Sequence, residues 1–344
     1  MKVIRVVGPR ELRLEEAPRP EPGPGEVLVR VAAVGICQTD LEIMSGVHGW
    51  IADGQSRYPL VPGHEWSGYV EALGEGVGHL RIGDLVVGET GIGCGHCRWC
   101  LTGHYNVCPD VTEAGILGRD GAMREYHVQP AAFVHRYPAD DPDTAALAEP
   151  ATVAFYACQR GAVSPLDRVA VVGCGSIGLL CIQAARAFGA RSILAVSRSE
   201  VKLRLAERLG AGKAVSSALT DLAEVVREVT DNEAFDVVIE AAGNAEAFND
   251  AMQLCGRLGR LVVVGYASPE AYGHSLQTII DREQTLIGVR GSPNVYVQTI
   301  DLMAAGRIQA APLVSARYAL DEYAAAFELA ESRRPDVLKV LVKP

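Results

Sequence analysis

Residues 168–188 read RVAVVGCGSIGLLCIQAARAF. A short β-branched run, Val169–Val172, meets Gly173-Cys174-Gly175-Ser176-Ile177-Gly178 and continues into Ile177–Phe188, an apolar stretch of helical length. Each glycine has a physical task. The first makes the tight turn, the second lets the backbone approach a pyrophosphate, and the third lets the helix pack closely on the strand. The pyrophosphate then rests on the helix N-terminus, where free N–H groups and the dipole favour negative charge. The uncharged stretch Val169–Ala185 is 17 residues long and is broken by Gly173, Gly175, Ser176, Gly178 and Gln183. A membrane span needs about 20 predominantly apolar residues, so this is a strand, a turn and a helix instead. A glycine fingerprint alone is weak; its place between strand and helix makes it a dinucleotide site.

Working outward, Ile193–Val196, Val237–Glu240, Leu261–Gly265 and Leu286–Gly288 read as further strands. Glu200–Leu209 and Asp221–Val229 read as helices between them. Such alternation predicts an α/β fold with a doubly wound parallel sheet. Upstream, Val27–Val31, Val70–Leu73 and Leu85–Gly88 are short strand-like runs set among turn residues, behind a stiff connector at Pro18, Pro20, Pro22 and Pro24. Downstream, Val295–Ala305 and Asp321–Ser332 read as helices and Val337–Val342 as a last strand. The chain of 344 residues is 49% hydrophobic and 22% charged, which suits a soluble globular protein of about two domains. A net charge of −10 speaks against a nucleic-acid partner. Lys2, Arg5 and Arg10 break any apolar signal core at the N-terminus, so the expected location is the cytoplasm, away from any membrane.

The second strand ends Ala195-Val196-Ser197-Arg198, where an NAD site usually places an acid on the ribose hydroxyls. Ser197 and Arg198 instead suit a 2′-phosphate, which they can hydrogen-bond and neutralise, so NADP(H) is expected over NAD(H). The alternative is an arginine that merely faces solvent.

Nine cysteines are too many for packing, and an odd number argues against a full disulfide framework. Cys94-x2-Cys97-x2-Cys100-x7-Cys108 lies in one glycine-containing loop. Four thiolates so placed can enclose a tetrahedral ion with no open position, the pattern of a structural zinc, with an iron–sulfur centre as the competing reading. Arg98 is the only strongly basic residue within that loop, which disfavours a zinc-ribbon nucleic-acid binder. Cys158, Cys174, Cys181 and Cys255 read as buried thiols. A scattered set supplies different chemistry: Cys37 in GICQTD, His64 and Glu65 in GHEWSG, and Glu149 before Pro150. Each alone reads as a packing residue as readily as a ligand. Together they offer one thiolate, one imidazole and carboxylates, suited to a zinc with an open position.

GICxTD, GHExxG, the four-cysteine loop, the Glu149-Pro150 pair and GxGxxG follow one another in an order that resembles the zinc-dependent medium-chain alcohol and polyol dehydrogenases. The resemblance covers essentially the whole chain. It implies a GroES-like β-rich catalytic domain over 1–150, a dinucleotide-binding Rossmann domain over 151–288, and a return to the catalytic domain over 289–344. It also implies two zinc ions, with Cys37 and His64 holding the catalytic one. Glu65 would be a ligand or exchange with water, and Glu149 would complete the site as in polyol-type members. Thr39 occupies the family's place for the hydroxyl that receives the substrate proton. Where many relatives have a relay histidine this chain has Glu42, which either continues the relay or is a solvated charge at a helix start. Asp40 is expected to orient a zinc ligand. The polar loop Ser45–Pro59, with His48, Trp50 and Arg57, suits a small hydroxylated substrate, and Tyr58–Gly68 is similar to aminocyclitol dehydrogenases. Polyol, sugar, cyclitol and threonine substrates all stay open, as does, at the far end, a zinc-bearing binding protein without turnover. A homodimer or homotetramer is the expected assembly.

Overall fold

The computed structural model describes residues 1–265 and 276–344. It divides into two compact units. One holds Met1–Glu149, Tyr296–Ala304 and Ala310–Pro344; the other holds Pro150–Val295 and Ala305–Gln309. Residues 289–295, grouped by the sequence reading with the return segment, pack with the second unit.

The second unit is built on a six-stranded sheet in which every pairing is parallel. Its order across the sheet is Lys213–Ser216, Ser192–Ser197, Arg168–Val172, Phe235–Glu240, Cys255–Val263 and Thr285–Gly288. The order reverses at Arg168–Val172, and an open parallel sheet of this kind binds ligands outside the strand ends at such a switch point. Val171, Ile239 and Leu261 are fully buried, as strands covered on both faces require. Helix Ser176–Ala187 begins within a residue of the expected start and buries Leu179, Leu180 and Ile182. The edge strand Lys213–Ser216 and the helix Ala245–Leu254 carried no strong sequence signal. The four remaining cysteines, at 158, 174, 181 and 255, are buried and free, as expected.

The first unit is built around strand Glu26–Gly35. It pairs antiparallel with Tyr126–Pro130, with Glu65–Leu73 along its length, and with Lys339–Lys343 at its end. The register sets Gly35 opposite both Glu65 and Leu341. The sheet therefore carries the GHE segment and the C-terminal strand to the point where GICQTD begins. Trp66, Val34, Val61 and Met123 are buried in the core there. Among the described residues, no helix is long and apolar enough to cross a membrane.

Candidate active site

Cys37 caps helix Gln38–Ser45, and His64 and Glu65 lead into strand Glu65–Leu73. One ligand atom from each of Cys37, His64 and Glu65 lies within 4.8 Å of the others. Asp40 is fully buried beneath them and ties the two segments together. Its carboxylate accepts from the Cys37 amide at 2.8 Å and from the Gly63 amide at 3.0 Å, and stands 3.5 Å from His64 Nδ1. Burial alone would raise the Asp40 carboxyl, but the His64 ring and the two amides hold it below the usual range. Burial likewise depresses His64, yet the Asp40 carboxylate and the Cys37 sulfur outweigh it and lift the ring well above its ordinary value. A metal would take the place of that proton.

Glu149 stands beside this set but outside its tight cluster. It lies in the first turn of helix Ala148–Arg160, and Oε1 accepts from Thr90 Oγ1 at 3.0 Å. Burial pushes its carboxyl up to about 7, with His64 pulling in the opposite sense. Thr39 Oγ1 lies 3.9 Å from Cys37 Sγ, at the mouth of the ligand set. Glu42 does not meet Thr39; its carboxylate accepts from Gln38 Nε2 at 3.2 Å. His48, on the loop just beyond, has its ring lowered by burial and raised by the charges of Glu42 and Glu113.

Lys339 is the residue that sequence reasoning missed. Its side chain is 5% exposed and its ammonium is ion-paired with Glu65 Oε1, whose side chain is 1% exposed. Burial opposes the charge, but Glu65 and Cys37 raise Lys339 above its ordinary value. Nothing local announces it, because Glu65 and Lys339 stand 274 positions apart.

The four-cysteine loop is a separate centre. Its sulfurs lie 3.9 Å apart for Cys94 and Cys100, 3.6 Å for Cys97 and Cys100, and 3.7 Å for Cys97 and Cys108. A tetrahedral zinc with bonds of about 2.3 Å sets its sulfurs about 3.8 Å apart, whereas a disulfide would need about 2 Å. The spacing fits the metal. Amides of His96 and Cys97 push the Cys94 thiol down to about 6, which helps supply a thiolate. Desolvation pushes Cys100 up to about 12, and a cation on the loop would reverse this.

At the glycine turn each expected task has its geometry. Gly173 has a φ of +97°, and a Cβ there would stand 2.7 Å from the Ala242 amide. A Cβ on Gly178 would stand 1.7 Å from the Gly173 carbonyl, so only glycine allows the helix so close. A Cβ on Gly175 would meet nothing within 4 Å: the backbone there lies open to a ligand. Ser176 opens the helix and Ile177 follows it, half-exposed. Ser197 accepts the Ser199 amide at 3.3 Å; Arg198 is 66% exposed and pairs with Glu246 at 3.3 Å. Lys202, half-buried on the following helix, feels the Cys174 sulfur and is lowered mainly by burial.

Residues 23–139 match the family model described as the alcohol dehydrogenase GroES-like domain, and residues 176–305 match that of the zinc-binding dehydrogenases. The chain belongs to the zinc-type medium-chain alcohol and polyol dehydrogenases. It is 33% identical to the sorbitol dehydrogenase of Bacillus subtilis over 345 residues, covering 100% of this chain and 97% of that one. An alcohol dehydrogenase of Escherichia coli CFT073 complexed with NADH superimposes with a TM-score of 0.91 at 30% identity, covering 100% of this chain and 99% of that one. A zinc-binding dehydrogenase of Sinorhizobium meliloti 1021 bound to NADP does so with a TM-score of 0.91 at 31% identity, again over 100% and 99%. The two units are thus the GroES-like domain and the Rossmann domain of an NAD(P)-binding oxidoreductase.

Proposed function

We propose that this dehydrogenase exchanges hydride between a secondary alcohol of a polyol, sugar or aminocyclitol and NADP(H), using two zinc ions of different kind. The observation that carries this reading is the convergence of Cys37, His64 and Glu65 ligand atoms within 4.8 Å, with a threonine hydroxyl beside them. Cys37 and His64 hold the catalytic ion, and Cys94, Cys97, Cys100 and Cys108 the structural one. A zinc ion at the first site supplies Lewis acidity toward a hydroxyl oxygen, and the nicotinamide supplies the hydride acceptor.

The chain's own groups do the rest. Asp40 fixes the ligand backbones, so that Cys37 and His64 present a rigid pair. Thr39 Oγ1 takes up the substrate's hydroxyl proton as its own proton leaves towards solvent; the Glu42 carboxylate, bonded to Gln38, lies further along the same helix. Glu149, held by Thr90, borders the site. The half-exposed loop with His48, Trp50 and Arg57 recognises further hydroxyls.

For the cofactor, a 2′-phosphate must displace Glu246 from Arg198. An exposed ion pair contributes about 0–1 kcal/mol. A phosphate brings more negative charge and more acceptor oxygens to the same guanidinium than one carboxylate, so the exchange favours the phosphate. Screening polyols, cyclitols, sugars and threonine with NAD⁺ and NADP⁺, followed by nicotinamide absorbance, tests both parts. Turnover confined to simple aliphatic alcohols would overturn the substrate class, and a higher kcat/KM with NAD⁺ would overturn the cofactor.

A further inference from the structure

The parallel sheet hides an acid that the mechanism above does not use. Strand Phe235–Glu240 is a buried apolar run, with Val237, Val238 and Ile239 fully covered, yet it ends in a carboxylate that is buried as well. An unpaired charge there would be costly. The register sets Glu240 beside Val172, the last residue before the glycine turn. Its side chain finds its partners in the backbone: Oε1 accepts from the Ala242 amide and from the Gly243 amide, each at 2.8 Å. Its main-chain carbonyl accepts from the Val264 amide at 2.9 Å and from the Gly265 amide at 3.2 Å. One residue thus gathers the turn after its own strand and the turn after the neighbouring strand Cys255–Val263. The two turns pack without slack, since a Cβ on Gly265 would stand 2.3 Å from the Gly243 amide nitrogen and 2.8 Å from Glu240 Oε2. Burial raises the Glu240 carboxyl, and the amides of Gly243, Ala242 and Gly265 oppose that rise.

The gathered turns stand directly behind the cofactor loop. The Ala241 amide donates to the Val172 carbonyl at 2.8 Å, and the Ala242 methyl lies 2.7 Å from where a Cβ on Gly173 would be. Past Gly243 the chain enters helix Ala245–Leu254, which carries Glu246, the partner of Arg198. We propose that Glu240 is a positioning residue that clamps the turns over 241–243 and 264–265 behind Gly173, and so holds the dinucleotide site in its binding shape before the cofactor arrives. A site ordered beforehand spares that ordering cost at binding. The clamp rests on the dinucleotide site read above, and not on the choice between NADP(H) and NAD(H).

The test uses the full chain as parent, Glu240→Leu and Glu240→Gln, with NADPH and NADH titrated by their fluorescence. Glu240→Leu removes the acceptor and keeps the bulk. It should bind the nucleotide that the parent prefers about tenfold more weakly, as when the competent arrangement is populated only about a tenth of the time. Its zinc content should be unchanged, and KM for the cofactor should rise while kcat at saturation stays near the parent's. Glu240→Gln keeps an oxygen that accepts from Ala242 and Gly243, and should bind close to the parent. Parental affinity in Glu240→Leu, or equal weakening in both variants, overturns the proposal, as does a fall in kcat at unchanged KM. A second measurement needs no substitution. In the free parent the Ala242 and Gly243 amides should exchange slowly with deuterium, and adding the nucleotide should slow them no further. Exchange there that is fast until the nucleotide is added would mean that the cofactor, not Glu240, orders the turn, and overturns the proposal. A parent that binds neither nucleotide overturns the dinucleotide site itself, and the proposal with it.

Discussion

The two candidate metal centres sit in one domain and are built in opposite ways. The four-cysteine loop draws its ligands from residues 94–108, and its sulfurs reach tetrahedral spacing by local turns alone. The other centre collects Cys37, His64, Glu65 and Lys339 from three strand ends, and its geometry depends on the register of the sheet. One is a loop that would fold round a single ion; the other is a gap in a folded framework. Removing metal should therefore unmake the first and merely silence the second.

The largest effect separates them directly. Cys37→Ala should lose one zinc and lower kcat/KM by about 10³-fold or more, because Lewis-acid stabilisation is worth several kcal/mol and each 1.36 kcal/mol is tenfold. Its melting temperature should stay close to the parent's. Cys100→Ser should lose the other zinc and melt earlier, since structural metal binding is folding energy. Calorimetry and elemental analysis on both variants decide it, and a Cys37→Ala protein that melts as early as Cys100→Ser would erase the contrast.

Thr39→Val sharpens the picture of the open centre. It keeps shape and zinc but removes the hydroxyl beside Cys37, and proton transfer by a positioned group is worth roughly 10²–10⁴-fold. Turnover should fall by that order with zinc content unchanged; undiminished turnover across pH would remove Thr39 from the relay. Smaller again is cofactor choice. Ser197→Asp with Arg198→Ala should reverse an NADP⁺ preference of about tenfold or more, given the worth of charge-assisted pairing. Equal kcat/KM values for both cofactors in the parent would show that Arg198 serves only Glu246.

The smallest effect concerns the buried framework of the open centre. His127 is buried edge-on to Trp66, and burial first, then the Arg124 guanidinium, lowers it from 6.5 to about 3. Between pH 6.5 and 3 the unfolded chain takes up a proton that the folded chain refuses. Its contribution to stability is complete above pH 6.5 and is lost as the pH falls through that window. His127→Gln can still accept from Arg124 and donate to Gln129, so its denaturant midpoint should vary less over this range. An unchanged pH slope would show that His127 is not the responsible group.

How far the sequence could be read follows the same division. The parallel sheet was legible because its strands are continuous apolar runs punctuated by glycine, and Arg168–Val172, Ser192–Ser197 and Phe235–Glu240 stand where expected. The edge strand Lys213–Ser216 was not, since an edge strand of four residues has little periodicity to show. The cysteine loop was legible from spacing alone, because its geometry is local. For the open centre the ligand motifs were visible but their relations were not. No pattern in Lys339–Lys343 indicates that its first side chain turns inwards to Glu65, nor any in Gly91–Ile92 or its neighbours that Thr90 holds Glu149. Those facts belong to register, which is set by long-range packing.

The glycines round His64 carry a further consequence. A Cβ on Gly63 would stand 2.7 Å from Val34, one on Gly115 would stand 2.9 Å from the Gly63 amide, and one on Gly121 would stand 2.4 Å from the Gly63 carbonyl. Three backbones touch behind the histidine with no room for a methyl group. Gly49 and Gly54, in the segment over 45–59, have nothing within 4 Å of the same position. In evolutionary terms the packing behind the histidine refuses a side chain that Gly49 would accept. A lineage could therefore rewrite Gly49 and its neighbours without disturbing the backbones that touch behind His64.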